Sequence, residues 1–235
     1  MNRRTFGASA LLILFSTAAP LAAQVVGHLP SESPYEDVAG KHLAALSAGW
    51  ILPGTDRAGV GPKSGLMLIG RYDYDVTGPL LLTSRIGLAP GLSRNVKDPV
   101  LTGAARNAGE RVEPLLLIDG GVILSLTGNK AWHGLAPRAH GSFGMVTSLN
   151  SEYDLGGYRF GPKFTMAWGL SVRGVTGGAW EWNADLTHIL WRMQYPTSYT
   201  DDGTTASPSI IGGSRKNPWN GNLMLTFGIT RAFKR

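Results

Sequence analysis

His140 and Ser142 are residues whose types and spacing could support nucleophilic catalysis. One glycine separates them, so on a β-strand both side chains lie on the same face. A histidine can take the proton of a serine hydroxyl when a carboxylate orients the imidazole. Glu152 is the nearest acidic residue that follows, but it lies in a predicted loop. We keep His140 and Ser142 as candidate catalytic residues, although a hydrogen-bonded histidine beside a serine is the commoner arrangement, and we predict that the protein is not an enzyme.

The sequence lacks other signatures of catalysis and ligand binding. It contains no cysteine, which excludes a disulfide framework, a thiolate metal site and a cysteine nucleophile. The five histidines form no pair at the close spacing of metal ligands, and the paired glycines follow no G-x-G-x-x-G pattern. We therefore expect no metal and no cofactor. Basic residues form no long run, so we expect no nucleic-acid partner.

A second group of polar side chains lies within apolar sequence. The stretch "GLMLIGRYDYDVTGPLLLTSRIGLAPG", Gly65–Gly91, contains Arg71, Asp73, Asp75 and Arg85. The first three alternate with tyrosine, so on a strand they share one face while the apolar residues occupy the other. A tight turn that contains glycine and proline divides the stretch into a predicted hairpin.

The same alternation recurs in eight segments. They are Lys41–Leu52, Gly65–Asp75, Leu80–Leu88, Glu113–Leu126, Arg138–Leu149, Tyr158–Val172, Ala179–Leu190 and Asn222–Phe233. Strands of about ten residues are longer than the usual 5–6 of globular proteins, and they match the roughly 9–11 that cross a membrane at a tilt. A soluble β-sandwich also alternates, but its buried core would not tolerate so many charges without partners.

The predicted connections differ in length. Val76–Pro79 and Gly174–Gly178 are short, Thr127–Pro137 is intermediate, and Pro53–Lys63, Leu92–Val112 and Met193–Trp219 are long. Short turns at one end and long loops at the other are typical of outer-membrane barrels.

The chain resembles the small outer-membrane β-barrel proteins of the eight-stranded OmpA/OmpX-like type. The resemblance covers Lys41 to Arg235 and is carried by the alternating strands and the ending "LMLTFGITRAFKR". Members usually end in an alternating strand whose last residue is aromatic, whereas here two basic residues follow Phe233. The resemblance implies an all-β, eight-stranded, antiparallel up-and-down transmembrane barrel with short periplasmic turns and long extracellular loops. It concerns architecture and transfers no function.

In such a barrel the charged faces point inward. We predict a lumen charge network of Arg71, Asp73, Asp75, Arg85, Asp119, Arg159, Lys163, Arg173, Glu181 and Asp185. Cations and anions are equal in number, which a lumen packed with ion pairs requires, because an unpaired buried charge costs several kcal/mol. Aromatic residues at the periplasmic rim should form an outward girdle at headgroup depth. They are Tyr72, Tyr74, Trp180, Trp182 and Phe233.

The N-terminus predicts export. "MNRRTFGASALLILFSTAAPLAAQ" has two arginines, an apolar run and then small residues, the order of a signal peptide. We assign residues 1–23 to the signal peptide, 24–40 to a periplasmic lead-in and 41–235 to the barrel. We expect a monomer in the outer membrane with both termini in the periplasm. Its expected partners are outer-membrane lipids and the barrel assembly machinery.

The pattern favours a structural or surface-interaction role through the extracellular loops, with a lumen filled by polar side chains. Two alternatives stay open. One is a lipid-modifying outer-membrane enzyme, because the spacing of His140 and Ser142 resembles that in outer-membrane lipid A deacylases. The other is a narrow channel. The sequence identifies no ligand.

Overall fold

The computed structural model describes residues 33–38, 40–54, 56–200, 209–212 and 217–233, so the predicted signal peptide and most of the lead-in lie outside it. The described strands are β1 (Tyr35–Asp37), β2 (His42–Pro53), β3 (Gly65–Asp75), β4 (Leu80–Ala89), β5 (Ser93–Lys97), β6 (Asn107–Val112), β7 (Leu115–Ser125), β8 (Lys130–Trp132), β9 (Leu135–Ser148), β10 (Lys163–Gly174), β11 (Trp180–Arg192) and β12 (Trp219–Phe233). A 3-10 turn at Gly103–Arg106 and the short helix α1 (Thr197–Thr200) are also present. No helix of the described residues is long and apolar enough to span a membrane.

Eight strands close into an antiparallel barrel. The order is β2, β3, β4, β7, β9, β10, β11 and β12, and β12 pairs with β2 to complete the ring. Each barrel strand pairs with the barrel strands that precede and follow it in the chain. The predicted eight-stranded, antiparallel up-and-down fold is confirmed, because the alternating segments coincide with these strands to within a few residues at most ends.

The two ends of the barrel differ. We call the turn end the one that contains the connections 76–79, 126–134 and 175–179, together with the start of β2 and the end of β12. We call the loop end the one that contains the longer connections 54–64, 90–114, 149–162 and 193–218. At the turn end β1, from the predicted lead-in, pairs with β8. At the loop end β5 and β6 form a separate hairpin, with a bulge at Val96/Lys97.

The start of β10 differs from the prediction. The sequence pattern placed a strand from Tyr158, with Tyr158 and Phe160 outward and Arg159 inward. The structure instead buries Tyr158 and Phe160, exposes Arg159 and begins β10 at Lys163. The prediction was wrong because Gly161-Pro162 interrupts the strand, and proline has no N–H to donate to a neighbouring strand. The backbone N–H of Tyr158 donates instead to Asp154 Oδ1 at 2.7 Å, within the 149–162 connection.

Burial alternates along the barrel strands, so each strand has an inward and an outward face. On β4 the even-numbered residues are exposed and the odd-numbered residues are buried. Leu82, Ile86 and Leu88 therefore point outward, while Thr83 and Arg85 point inward. The outer face of the barrel is mainly apolar, and most charged side chains of the strands lie inside it.

The interior changes in polarity along the barrel. The turn-end half is mainly polar and charged, with a small apolar cluster around Leu81, whereas the loop-end half is an apolar core that includes Leu117 and Trp191. On β3 the inward face changes from Met67 and Ile69 to charged residues as the strand approaches the turn end. The expectation of a wholly polar lumen is therefore wrong for the loop-end half.

Leu117→Ala should lower the free energy of unfolding by about 2–5 kcal/mol, because it loses buried contacts and leaves a cavity in the loop-end core. The matched control is Leu225→Ala on the outer face, where Leu225 is 58% exposed and detergent or lipid can fill the space. We expect a smaller loss for the control. Urea unfolding from detergent or lipid vesicles measures both, and equal losses would show that the loop-end half is not tightly packed.

Candidate functional site

Arg71 is the centre of the charge network in the turn-end half of the lumen. Its Nη1 donates a hydrogen bond to Asp185 Oδ1 at 2.5 Å, and its Nε lies 3.3 Å from Asp73 Oδ2. Arg71 and Asp73 are on β3 whereas Asp185 is on β11, so the first contact crosses the lumen. All three side chains are more than nine-tenths buried. At that burial each charge needs its partner, since an isolated one would be strongly disfavoured.

Arg85 and Asp119 form the second ion pair. Arg85 Nε donates to Asp119 Oδ1 at 2.8 Å, and its Nη2 donates to Asp119 Oδ2 at 2.7 Å. The two residues stand directly opposite each other on β4 and β7. This bidentate geometry is the strongest form of an arginine–carboxylate contact. The contact joins two neighbouring strands of the barrel wall.

Arg138 belongs to the network although the sequence analysis missed it. It is buried on β9, its Nη1 lies 3.9 Å from Asp73 Oδ2, and its Nε has no hydrogen-bond partner in the described part of the chain. Asp73 therefore faces two guanidinium groups, those of Arg71 and Arg138. The sequence pattern does predict an inward position for Arg138, because it has the same strand parity as His140 and Ser142. Arg173 on β10 pairs with Glu181 on β11 nearby, near the turn end.

Three predicted network residues are placed differently. Asp75 is half-buried at the end of β3, and its Oδ1 accepts a hydrogen bond from Gly78 N at 2.6 Å in the turn. Arg159 is exposed in the 149–162 connection with its guanidinium 4.7 Å from the ring centre of Tyr153, so its predicted inward position is wrong. Lys163 is buried at the loop end, with its Nζ 4.8 Å from the ring centre of Phe160 rather than in an ion pair.

His140 and Ser142 both point into the lumen, but their hydrogen bonds go to other residues. His140 Nε2 lies 3.1 Å from Thr187 Oγ1, and Ser142 Oγ accepts a hydrogen bond from Arg85 Nη2 at 2.9 Å. Glu152 lies in the loop-end connection and pairs with Arg111 at 3.3 Å. Among the described residues His140 and Ser142 do not hydrogen-bond to each other, and no carboxylate accepts a hydrogen bond from His140, whereas a catalytic pair requires both contacts.

A separate polar cluster lies at the loop end around Arg94 of β5. Its Nε donates to Glu113 Oε2 at 2.6 Å and its Nη1 to Asp154 Oδ2 at 3.3 Å, and all three side chains are buried. The guanidinium also lies 5.1 Å from the ring centre of Tyr158. Burial lowers the pKa of Arg94, but its hydrogen bond and charge contacts with the two carboxylates raise it by more, so the pKa ends above its ordinary value.

Three tyrosines complete this cluster. The rings of Tyr158, Tyr195 and Tyr199 lie 6.1–6.4 Å apart between centres. Tyr199 Oη donates to Asp154 Oδ2 at 2.9 Å, and Tyr195 Oη donates to Asp56 Oδ1. Burial, strengthened by these carboxylates, raises the pKa of the Tyr195 and Tyr199 phenols above their usual range. The loop-end cluster is then Asp56, Arg94, Glu113, Asp154, Tyr158, Tyr195 and Tyr199.

The sequence analysis did not find the loop-end cluster. Glu113 has the same strand parity as Asp119, which was a usable signal. Arg94 and Asp154 lie in connections without periodicity, so nothing in the sequence indicated that they meet. No group of three or more histidine, aspartate or glutamate side chains in the described residues is arranged to hold a metal ion.

The five predicted girdle residues lie near the turn end on the outer face. Tyr72, Trp180 and Phe233 are exposed, while Tyr74 and Trp182 are half-buried. The strand register places Phe233 and Tyr74 in one row, on either side of His42. The other three residues lie in the next two rows toward the middle of the wall. Trp182 lies one row further from the turn end than Trp180, and its ring stacks on that of Phe227 with centres 6.1 Å apart.

Comparison with known proteins gives structural similarity only. No family model and no curated protein matches the chain. The chain is similar to the solved structure of Neisserial surface protein A, with 11% identity over 86% of this chain and 98% of that chain and a TM-score of 0.48. It is similar to outer membrane protein OprG from Pseudomonas aeruginosa, with 8% identity over 87% and 100% and a TM-score of 0.49. It is also similar to Ail, the attachment invasion locus protein of Yersinia pestis, with 12% identity over 81% and 99% and a TM-score of 0.36. Similarity at these identities and TM-scores carries no information about what this chain does.

Asp73→Ala should lower the free energy of unfolding by about 3–5 kcal/mol, because it leaves Arg138 without its carboxylate and Arg71 with only one. Glu110→Ala is the control, since Glu110 pairs with Lys63 on the exposed loop-end surface and surface ion pairs contribute little. Urea unfolding from lipid vesicles compares the two. An Asp73→Ala variant as stable as the control would mean that water, not ion pairing, solvates these lumen charges.

The loop-end cluster should loosen at alkaline pH. The raised pKa of Tyr195 and Tyr199 means that the folded cluster keeps both phenols neutral, while in the opened state they ionise near pH 10. Their contribution to stability is therefore complete below about pH 10 and falls as the pH rises above it. Proteolysis of the 149–162 connection should accelerate above that pH.

The phenylalanine variants identify the groups responsible. Tyr195→Phe combined with Tyr199→Phe should reduce the alkaline rise in the proteolysis rate to the part due to Tyr158, whose pKa burial also raises. Tyr153→Phe, which changes an exposed tyrosine in the same region, should leave the pH profile as in the parent protein. An unchanged profile in the double variant would contradict the assignment.

Proposed function

We propose that the protein is an integral outer-membrane β-barrel with a filled lumen, which serves a structural or surface-interaction role through its loop end. The observation that carries this proposal is the distribution of polarity across the barrel wall. Arginines and carboxylates are buried inside, while large apolar side chains are exposed on every barrel strand. Leu46, Leu68, Ile86, Phe227 and Leu225 are each more than 40% exposed.

This distribution is unstable in water and favourable in a bilayer. Soluble monomers rarely expose a contiguous apolar patch larger than about 300–600 Å², whereas here the outer faces of eight adjoining strands are apolar. A closed barrel also satisfies all its backbone hydrogen bonds within the wall, which the hydrocarbon core of a membrane requires. Both properties support a transmembrane position.

The asymmetry of the ends supports an orientation. Outer-membrane barrels have short periplasmic turns and longer extracellular loops, which supports a periplasmic position for the turn end and the two barrel termini. The aromatic residues near that end, such as Trp180 and Tyr72, would then lie at the inner headgroup level, where amphipathic rings are enriched.

The filled interior supports a structural role rather than conduction. Ion pairs occupy the turn-end half, and an apolar core occupies the loop-end half. A cavity of about 20 Å³ remains near the turn end, beside Asp75, Arg138 and Arg173. That volume has room for about one water molecule.

The loop end offers a surface for interaction. Val100, Tyr153 and Leu155 are each more than 60% exposed there. They project from the connections that the buried contacts of Arg94 with Glu113 and Asp154 hold together. An exposed apolar surface on connections that are already held by buried contacts fits a binding role, because little conformational entropy would be lost when a partner binds.

Two leucine-to-arginine variants test the membrane assignment. Leu225→Arg, on the middle of β12, should cost about 2–4 kcal/mol of folding free energy in vesicles, because the cation would face hydrocarbon. Leu155→Arg, at a leucine of similar exposure at the loop end, should cost little.

The parent protein should migrate differently on gels before and after heating and should fractionate with the outer membrane. Two arginine variants of equal stability, or a parent protein found free in the periplasm, would overturn the assignment.

A further inference from the structure

The outer face of β12, β2, β3 and β4 contains a groove. Four small outward residues form its floor, namely Ala44, Ala48, Gly70 and Ser84. Two adjoining hollows of about 580 and 620 Å³ make up the groove, and they share Leu46, Gly70, Ile86 and Ile229. Each hollow falls within the range of about 300–1,000 Å³ that small-molecule sites occupy.

The shape and lining of the groove suit a hydrocarbon chain. It follows the strands from the row of Arg231 and Ala44, at the turn end, to the row of Phe227 and Ala48 nearer the middle of the wall. Its walls are aliphatic and aromatic, with Leu68 and Ile229 among them. An apolar hollow that spans three outward rows of one barrel wall fits part of a flexible acyl chain better than a broad protein surface.

The turn end of the groove is cationic. Arg231 is exposed on the outer face of β12, and its guanidinium lies 5.4 Å from the ring centres of both Trp180 and Phe233. No carboxylate of the described residues forms an ion pair with it. Beside it His42 Nδ1 and Tyr72 Oη share a hydrogen bond of 2.6 Å. A cation held between aromatic rings at headgroup depth attracts an anionic lipid.

We propose that this groove binds one anionic phospholipid, with an acyl chain along the groove and the phosphate at Arg231. The inference rests on the proposed membrane position, since the groove is then open to lipid along its whole length. The charge of Arg231 favours a lipid of net negative charge over a zwitterionic lipid, whose ammonium group lies beside the same phosphate, and over a second copy of the chain. The proposal predicts a preference for anionic over zwitterionic headgroups and one retained lipid for each barrel.

Native mass spectrometry tests the preference. The protein is folded into vesicles of equal parts phosphatidylglycerol and phosphatidylethanolamine, then extracted in mild detergent. We expect one retained phosphatidylglycerol. Arg231→Gln should lower its retention relative to phosphatidylethanolamine by about fivefold, the usual effect of one cation near a lipid surface. Lys130→Gln, which removes an exposed cation near the turn end outside the groove, should leave retention unchanged.

A second pair of variants tests the groove itself. A Cβ built at Gly70 meets no atom closer than 4.0 Å, so the backbone there has room for a side chain. Gly70→Leu should fill the floor and abolish retention of the lipid. Gly141→Leu is the matched control on the opposite wall, where the nearest atom would lie at 3.9 Å. Gly141→Leu should retain the lipid as the parent protein does.

The outcomes separate the two proposals. A barrel that inserts normally but retains both lipids equally, loses lipid in the control variants, or appears as a dimer through this face overturns the lipid site alone. A chain that does not insert into vesicles overturns the membrane function and the lipid site together.

Discussion

The ion pair between Arg71 and Asp185 is the contact on which the polar half of the lumen depends. It joins β3 to β11 across the interior, so it exists only when β12 has closed on β2. Asp73 beside it serves Arg138 from a third strand. These two contacts therefore do not lie within one hairpin, and the contact between Arg71 and Asp185 requires the complete wall. Closure also leaves no strand edge of the barrel unpaired, so the outer face can be mainly apolar.

Much of the fold was predictable from the sequence because a barrel strand has a period of two residues. The alternation in Gly65–Asp75 fixed both the strand and the inward direction of Arg71 and Asp73. The same period failed before Lys163, where Gly161-Pro162 breaks the strand while the residue pattern continues by chance. A two-residue period shows which residues share a face only within the strand, and the backbone determines where the strand ends. Arg159 was assigned to the interior for this reason.

The loop-end cluster could not be predicted in the same way. Arg94 and Asp154 come from connections whose residues follow no period, and they meet Glu113 because those connections fold back over the barrel. The apolar layer beneath them was also missed. Its residues, such as Met67 and Ile69, share a strand face with charged residues, so the sequence pattern indicates a polar face throughout. The composition of a strand face gives the average polarity of that face, whereas packing depends on the order of the residues along it.

The span of sequence between Arg71 and Asp185, 114 residues, has a consequence for how the barrel is assembled. An early hairpin of β3 and β4 would carry Arg71 and Arg85 before β11 and β7 are available to neutralise them. Such a hairpin could not enter the hydrocarbon core alone without desolvating cations, which is costly. Insertion of the strands and closure of the ring should therefore be nearly simultaneous, with the slow step late in the pathway. In the proposed membrane position, the lumen ion pairs that stabilise the finished barrel should also disfavour partly inserted chains.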